Sequence, residues 1–144
     1  MLLGLPALLT PDLLHALASM GHGDEIAIVD ANFPAASVGR RVIRLAGASS
    51  TEALDAVLRV LPLDTVVSPA AVTMEVVGDP RATPPTVAEF GATLAQRTGD
   101  ARALGHLERQ QFYERSRNAF AVVQTGDTRP YANILLVKGV SRGG

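Results

Sequence analysis

The chain of 144 residues has no cysteine and no tryptophan, and aromatic residues make up only 4% of it. The absence of cysteine excludes disulfide frameworks, thiolate nucleophiles and cysteine-ligated metal centres. Any site chemistry must therefore come from histidines, carboxylates, tyrosines and arginines. Hydrophobic residues still reach 47% of the sequence, so the core must be built from Leu, Val, Ile and Ala.

The sequence also lacks an excess of charge and a long apolar run. Thirteen Lys and Arg residues face fourteen Asp and Glu residues, and no basic block stands out, so nucleic-acid binding is not expected. No stretch approaches the roughly 18 apolar residues of a membrane span. The apolar start is short, is interrupted by Pro6 and has no basic leader, so we read it as the beginning of the domain rather than a signal peptide. A cytoplasmic protein without a membrane partner is the expectation.

The length predicts one domain, spanning residues 1–144, that can bury a core without metals or disulfides. In a small and nearly neutral chain, so high a hydrophobic content indicates that some apolar surface is buried between subunits. We therefore expect a homo-oligomer.

Helical and strand signals alternate along the chain. Thr10 precedes an apolar repeat as a helix cap, Ser49 and Glu52 have the spacing of a capping box, and Thr86 and Glu89 repeat that spacing. Strands are predicted in "EIAIVD", "RVIRLAG", "DTVVSPAAVTMEVVGD" and "ANILLVKGV", and on either side of a helix at about 109 to 118. This alternation predicts an α/β single domain whose mixed or mostly parallel sheet is covered by helices.

Familiar site signatures are missing. The sequence contains no GxGxxG, Walker A, HExxH or GxSxG pattern. The three histidines are too scattered for a local metal triad, so a metal site is not expected. We predict that His15 is exposed without a role and that His106 is structural.

"MGHGDEIAIVDANFPA", residues 20 to 35, holds the strongest single candidate, His22. An imidazole can give or take a proton near neutral pH, and the flanking glycines leave room for a ligand. The alternative is a histidine at the C-terminal end of the preceding helix, stabilised by the helix dipole. Asp30 closes the apolar run, where it is either a turn residue or a ligand-binding residue at a strand end.

Distance argues against a simple pairing of His22 with Asp30. The four or five strand residues between them span roughly 13–17 Å. The two side chains can meet one small ligand only if the turn at 21 to 25 folds back or a neighbouring subunit supplies one of them.

The C-terminal third offers more polar candidates. "RQQFYERSRNAF" places Arg109 and Tyr113 one turn apart on an amphipathic helix. In "TRPYANILL", Tyr131 offers a ring and a hydroxyl, and Asn133 offers a donor and an acceptor just before a buried strand. This combination suits a polyol such as a sugar, because rings stack on C–H faces and amides bind hydroxyls.

Three segments, "MGHGDEIAIVDANFPA", "FYERSRNAFAVVQTGD" and "PYANILLVKGV", resemble the fucose mutarotase and ribose pyranase family in their order and spacing. The resemblance runs nearly end to end, and the proline-rich middle is its least distinctive part. "GHGDEI", "FPA" and "FYERS" resemble the fucose branch, whereas the ribose branch shares "PYANI" but typically lacks the "FYER" segment.

The resemblance implies a cofactor-independent enzyme that interconverts the anomeric and ring forms of free sugars, with His22 as its proton donor. It also implies substrate-binding roles for Asp30, Arg109, Tyr131, the backbone of Ala132 and Asn133, and a pocket role for Tyr113. The implied assembly is a ring, commonly a decamer of two stacked pentamers with pockets at subunit contacts. Such contacts would also bridge the distance between His22 and Asp30.

The implied reaction is the exchange of α- and β-L-fucose by acid–base ring opening and closure, with His22 as the acid and Asp30 orienting it or binding a hydroxyl. Three alternatives remain open at this point. The first is pyranose–furanose exchange of D-ribose by the same chemistry, and the second is a non-catalytic sugar-binding or transport accessory protein. The third is a purely structural ring, in which Tyr131 and Asn133 would be indifferent to sugar.

Overall fold

A computed structural model describes residues 1–99 and 104–143 of the chain. The strands are β1 (Glu25–Val29), β2 (Val42–Leu45), β3 (Ala71–Met74), β4 (Gly105–Leu107), β5 (Ala121–Thr125) and β6 (Ile134–Val137). The helices are α1 (Pro11–Ser19), α2 (Ala35–Val38), α3 (Ser50–Leu58), α4 (Pro85–Thr98) and α5 (Arg109–Asn118). The predicted α/β alternation is confirmed.

All six of these strands lie in one sheet, in the order β2-β5-β1-β6-β3-β4. Strand β6 is antiparallel to its neighbours β1 and β3, and the other pairs are parallel. Of the predicted alternatives, a mixed or a mostly parallel sheet, the structure shows a mixed one. The C-terminal ends of the five parallel strands share one edge with the start of β6, and we call this the carboxyl edge. The opposite edge, where β1 begins and β6 ends, is the amino edge.

The sheet is covered on both faces, which explains why its strands are almost continuously apolar. Ile26 and Ile28 of β1 face a core made with α1, α3 and α4. Ala27 and Val29 point to the other face, where they pack with residues of α2 and α5. The alternation along β1 thus serves two separate cores.

Two helix starts follow the predicted capping chemistry. The Thr10 side chain accepts a hydrogen bond from the amide of Leu13 at the start of α1. At α3 the capping box is complete, because Ser49 accepts from the Glu52 amide at 3.1 Å and Glu52 accepts from the Ser49 amide at 3.0 Å. These local signals fix where each helix begins.

The third predicted cap is wrong. Pro84 precedes the first residue of α4 and Pro85 begins it, so Thr86 lies inside the first turn. A proline suits this position because its ring fixes φ and it lacks the N–H that would be unpaired there. The sequence did not predict helix α2, because four residues are too few to show a helical period.

The loop after β5 is tied to two helices through a buried carboxylate. Asp127 accepts from the Ser50 amide at 3.0 Å and from the guanidinium of Arg129 at 3.1 and 3.0 Å. Arg129 also donates to Glu89 of α4 at 2.6 Å. Hydrogen bonds from Arg129 lower the pKa of both Asp127 and Glu89. The loop that leads to β6 is therefore held in place.

Within residues 1–99 and 104–143, no helix has the length and hydropathy needed to cross a membrane.

Arg129→Met tests how much the contacts from Arg129 to Asp127 and Glu89 stabilise the fold. The lowered pKa values mean that the folded state favours the ionised carboxylates, so their stabilisation is present above the ordinary values and is lost as the pH falls through the lowered ones. We expect the free energy of unfolding to fall by about 1–2 kcal/mol at about pH 7 and by much less at about pH 2. Thermal unfolding at both pH values measures the difference.

Arg117→Met is the matched control. Among residues 1–99 and 104–143, Arg117 pairs only with the exposed Glu114 on its own helix, so it should contribute little at either pH. An Arg129→Met effect that does not change with pH would contradict the assignment.

Candidate functional site

Asp30 and Asn133 form a buried pair at the carboxyl edge. The Asn133 side chain accepts from the Asp30 amide at 2.8 Å and donates to the Asp30 carboxylate at 3.1 Å. Asp30 also accepts from the Asn32 amide at 2.9 Å. Burial raises the pKa of Asp30, and the hydrogen bonds from Asn32 and Asn133 oppose that shift. Asp30 thus closes a turn and also presents a carboxylate at the strand end.

This pair lines a cavity of about 290 Å³, here called the carboxyl-edge cavity. Its lining is Asp30, Asn32, Phe33, Met74, Tyr113, Pro130, Tyr131 and Asn133. Convergent polar groups therefore meet an apolar wall, as expected of a pocket for a small polar molecule. Phe33 and Met74 were not predicted as site residues. Met74 could have been predicted from its position at the end of β3, because ligands of such sheets bind at the carboxyl ends of the strands.

Both the backbone and the side-chain hydroxyl of Tyr131 are fixed by contacts. Its φ is +60°, a value that non-glycine residues rarely adopt, at a cost of about 1–3 kcal/mol. The Thr86 hydroxyl lies 3.4 Å from the carbonyls of both Pro130 and Tyr131. The Tyr131 hydroxyl accepts from the Val77 amide at 3.0 Å, so its own proton can be donated to a ligand. The ring therefore has a preset position beside the cavity.

Ala132, between Tyr131 and Asn133, is fully buried and is not among the residues that line the cavity.

Arg109 and Tyr113 meet on the first turns of α5. Arg109 Nε donates to the Tyr113 hydroxyl at 3.1 Å, and its guanidinium lies 5.3 Å from the ring centroid. The Tyr113 ring also packs edge-on against Phe33. Arg109 lines an adjoining cavity of about 280 Å³, together with Glu75 and other residues, so it approaches the carboxyl-edge cavity through Tyr113.

His22 lies at the amino edge, where it pairs with Asp64. The His22 Nε2–H donates to Asp64 Oδ1 at 3.0 Å. Asp64 is almost fully buried, and the amide of Val67 followed by the ring of His22 lowers its pKa. An ionised carboxylate can only accept, so this contact places the imidazole proton on Nε2. Asp64 was not predicted, because it stands 42 residues from His22 in a segment without a motif.

The structure keeps His22 and Asp30 apart within one chain. They flank the five residues of β1, a separation of roughly 17 Å. The turn at 21 to 25 does not fold back, because the Gly23 amide donates to the Lys138 carbonyl at the amino edge. The partner that orients His22 within the chain is Asp64 rather than Asp30.

The alternative of His22 as a residue at the C-terminal end of a helix is wrong. Helix α1 ends at Ser19, with Met20 as its C-cap. The ammonium of Lys138 binds the carbonyls of Leu17 and Met20, which is the interaction expected of a cation at a helix C-terminus.

The other two histidines have no part in either cluster. His15 is exposed on α1, as predicted. His106 on β4 is exposed, and its Nδ1 lies 3.0 Å from the hydroxyl of the buried Thr73, which agrees with a structural role. In the described part of the chain, no group of three or more His, Cys, Asp or Glu side chains is placed to hold a metal ion.

A further cavity, of about 400 Å³, lies between the N-terminal segment and α1. Its lining is Met1, Leu2, Leu5, Pro6, Ala7, Leu9, Thr10, Pro11 and Leu14. With almost no polar side chains, it does not suit a polyol.

Asn133→Asp tests the buried pair. A second carboxylate next to Asp30 raises the pKa of both groups, so stability is kept below the ordinary pKa and lost as the pH rises through the raised values. We expect the variant to lose about 2–3 kcal/mol at about pH 7 and clearly less at about pH 3.5. Thermal unfolding provides the comparison, with the exposed Asn118→Asp as control. Equal losses at both pH values would show that the Asp30 carboxylate does not face Asn133.

Sequence comparisons relate the whole chain to a known family. The model of the RbsD / FucU transport protein family matches residues 4–141. The chain is 49% identical over 143 residues to the fucose mutarotase of Homo sapiens, covering 95% of this chain and 92% of the relative. It is 36% identical over 141 residues to the L-fucose mutarotase of Histophilus somni, covering 98% of each.

Solved structures show the same fold. The crystal structure of the fucose mutarotase from Streptococcus pneumoniae in complex with L-fucose matches with a TM-score of 0.90 and 42% identity, covering 97% of this chain and 99% of that one. The mixed sheet, the two separate polar clusters and the extent of these matches lead to one conclusion: the chain belongs to the RbsD / FucU transport protein family.

Proposed function

We propose that this protein is an L-fucose mutarotase, an isomerase that interconverts the α and β anomers of the free sugar without a cofactor. The observation that carries the proposal is the full-length likeness to the fucose mutarotase solved with L-fucose. The carboxyl-edge cavity, with its convergent acceptors and donors, supports it further.

The reaction needs one acid, one base and a pocket. An acid protonates the ring oxygen while a base takes the proton of the anomeric hydroxyl, and the C1–O5 bond breaks. The C1–C2 bond then rotates, and the ring oxygen attacks the other face of C1 as both protons return. Positioned acid–base groups accelerate such a step by about 10²–10⁴.

The carboxyl-edge cavity supplies the binding groups in this proposal. The Asp30 carboxylate has acceptor capacity beyond its bonds to Asn32 and Asn133, because each oxygen has two lone pairs. The hydroxyls of Tyr131 and Tyr113 each accept from a protein N–H, so both can donate to sugar oxygens. Phe33 and Met74 form an apolar wall, which suits a sugar that carries a methyl group.

His22 supplies the acid. Its imidazole donates to the ionised Asp64, which orients the ring. The His22 side chain is 49% exposed, so a sugar held by another chain can reach it. Exposed valines follow Asp64 and Lys138 closely in the sequence: Val66, Val67 and Val140. Exposed apolar side chains of this kind are typical of a surface that contacts another subunit.

The active site would therefore form between subunits, where the amino edge of one chain meets the carboxyl edge of the next. Such a contact joins two different surfaces, and head-to-tail contacts of this kind close into rings. This supports the ring assembly, for which we propose two stacked pentamers. The proposal places the protein in the cytoplasm, without a nucleic-acid or membrane partner.

D-ribose exchange is the nearest alternative, because the same acid–base groups would serve it. A non-catalytic sugar-binding or transport accessory protein is the alternative of a different class. The His22–Asp64 pair favours catalysis, since a binding protein has no use for an oriented acid away from its cavity.

Exchange NMR at the anomeric protons tests the activity. We expect the protein to accelerate α/β exchange of L-fucose more than exchange of D-ribose. His22→Ala should lower the rate by about 10² or more and leave fucose binding nearly unchanged, because the binding groups lie at the other edge. Fucose binding without any acceleration by the wild-type protein would support the binding-protein alternative.

Subunit mixing tests the shared site. His22→Ala and Asp30→Ala chains, each inactive alone, are refolded together in equal amounts. If each site takes His22 from one chain and Asp30 from its neighbour, about a quarter of the sites regain both residues. Sites formed within single chains would show no recovery of exchange.

A further inference from the structure

Lys138 is the one lysine of the sequence, and the other twelve basic residues are arginines. It follows the last strand, β6, at the amino edge, and it is partly buried. Its Nζ donates to the Leu17 carbonyl at 2.7 Å and to the Met20 carbonyl at 2.6 Å. The side chain therefore holds the chain just before His22.

The main chain of Lys138 holds the residues just after His22. Its amide donates to the Asp24 carbonyl at 2.9 Å, and its carbonyl accepts from the Gly23 amide at 2.9 Å. Contacts on both sides of His22 thus originate from a single residue.

The same strand end also holds the partner of His22. The Asp64 amide donates to the Val137 carbonyl at 3.0 Å, and Leu63 forms a β-bridge with Lys138. Residues 137 and 138 therefore contact both the segment that carries His22 and the segment that carries Asp64, and so they set the relative position of the two. A shift of the segment before His22 changes the geometry of the pair.

We propose that Lys138 is a positioning residue for catalysis, whose ammonium fixes the segment that carries His22 so that its ring meets Asp64 and faces the sugar. This inference rests on the proposed role of His22 as the acid. A compact ammonium suits the task, because its three donors diverge from one point toward carbonyls three residues apart. The planar guanidinium of arginine is shaped for carboxylates and phosphates instead.

Lys138→Met removes the ammonium and leaves the main-chain contacts in place. We expect kcat for fucose exchange to fall by about 10–100-fold, as for a catalytic group displaced by about 1 Å. KM should stay within about twofold, because the binding groups lie at the carboxyl edge. Arg142→Met, which removes an exposed positive charge four residues further along, should leave both constants unchanged.

A second variant separates positioning from general weakening of the fold. In the His22→Ala background, Lys138→Met should change the residual rate by less than about twofold, since the residue acts through His22. A further loss in that background, or wild-type kcat for the single variant, would overturn the proposal. If Lys138→Met does not fold, Lys138→Arg replaces it, and a folded Arg variant with wild-type kcat would also overturn it.

NMR of the His22 ring keeps this test independent of the proposed activity. In the wild-type protein the Nε2–H signal should show the hydrogen bond to Asp64, and Lys138→Met should shift or broaden it. A wild-type protein that accelerates no sugar exchange would refute the proposed function. An unchanged His22 signal in Lys138→Met would refute the role of Lys138, whether or not the protein is active.

Discussion

The antiparallel pairing of β1 with β6 is the constraint on which both polar clusters depend. Its register sets Ile28 opposite Ile134 and Glu25 opposite Val137. Asp30 and Asn133, which bind each other, lie just beyond one end of this ladder. At the other end, Lys138 contacts the turn that carries His22. A slip of one residue would exchange the side chains that β1 places in the two cores and would separate Asp30 from Asn133.

The same ladder that builds the two clusters also keeps them apart. A strand cannot shorten, so the His22–Asp64 pair and the carboxyl-edge cavity stand at opposite ends of a rigid element. In the proposed function this rigidity sets the form of the assembly. On that proposal, the acid of one chain would serve the cavity of the next, and neighbouring subunits would hold the two in a geometry that neither chain could adopt alone.

Local features of the sequence predicted most of the fold, whereas contacts between distant segments escaped prediction. The strands, the first two helix caps and the position of Asp30 at a strand end follow from short patterns. The cap predicted at Thr86 is wrong. A threonine three residues before a glutamate has the spacing of a capping box, but the neighbouring prolines determine where the helix begins. Asp64 and Lys138 carry no motif, and only the pairing of distant strands brings them to His22. The predicted separation of His22 and Asp30 within one chain is confirmed, because the two residues flank β1.

The scarcity of lysine has a consequence for a protein that opens sugar rings. The opened form of an aldose is an aldehyde, which condenses with free amines to form imines. Guanidinium groups stay protonated far above neutral pH and make poor nucleophiles. The single lysine ammonium is partly buried and engaged with two main-chain carbonyls. On the proposed function, the open-chain aldehyde that forms as the intermediate would thus meet almost no side-chain amine, which leaves the sugar few positions on this protein to glycate.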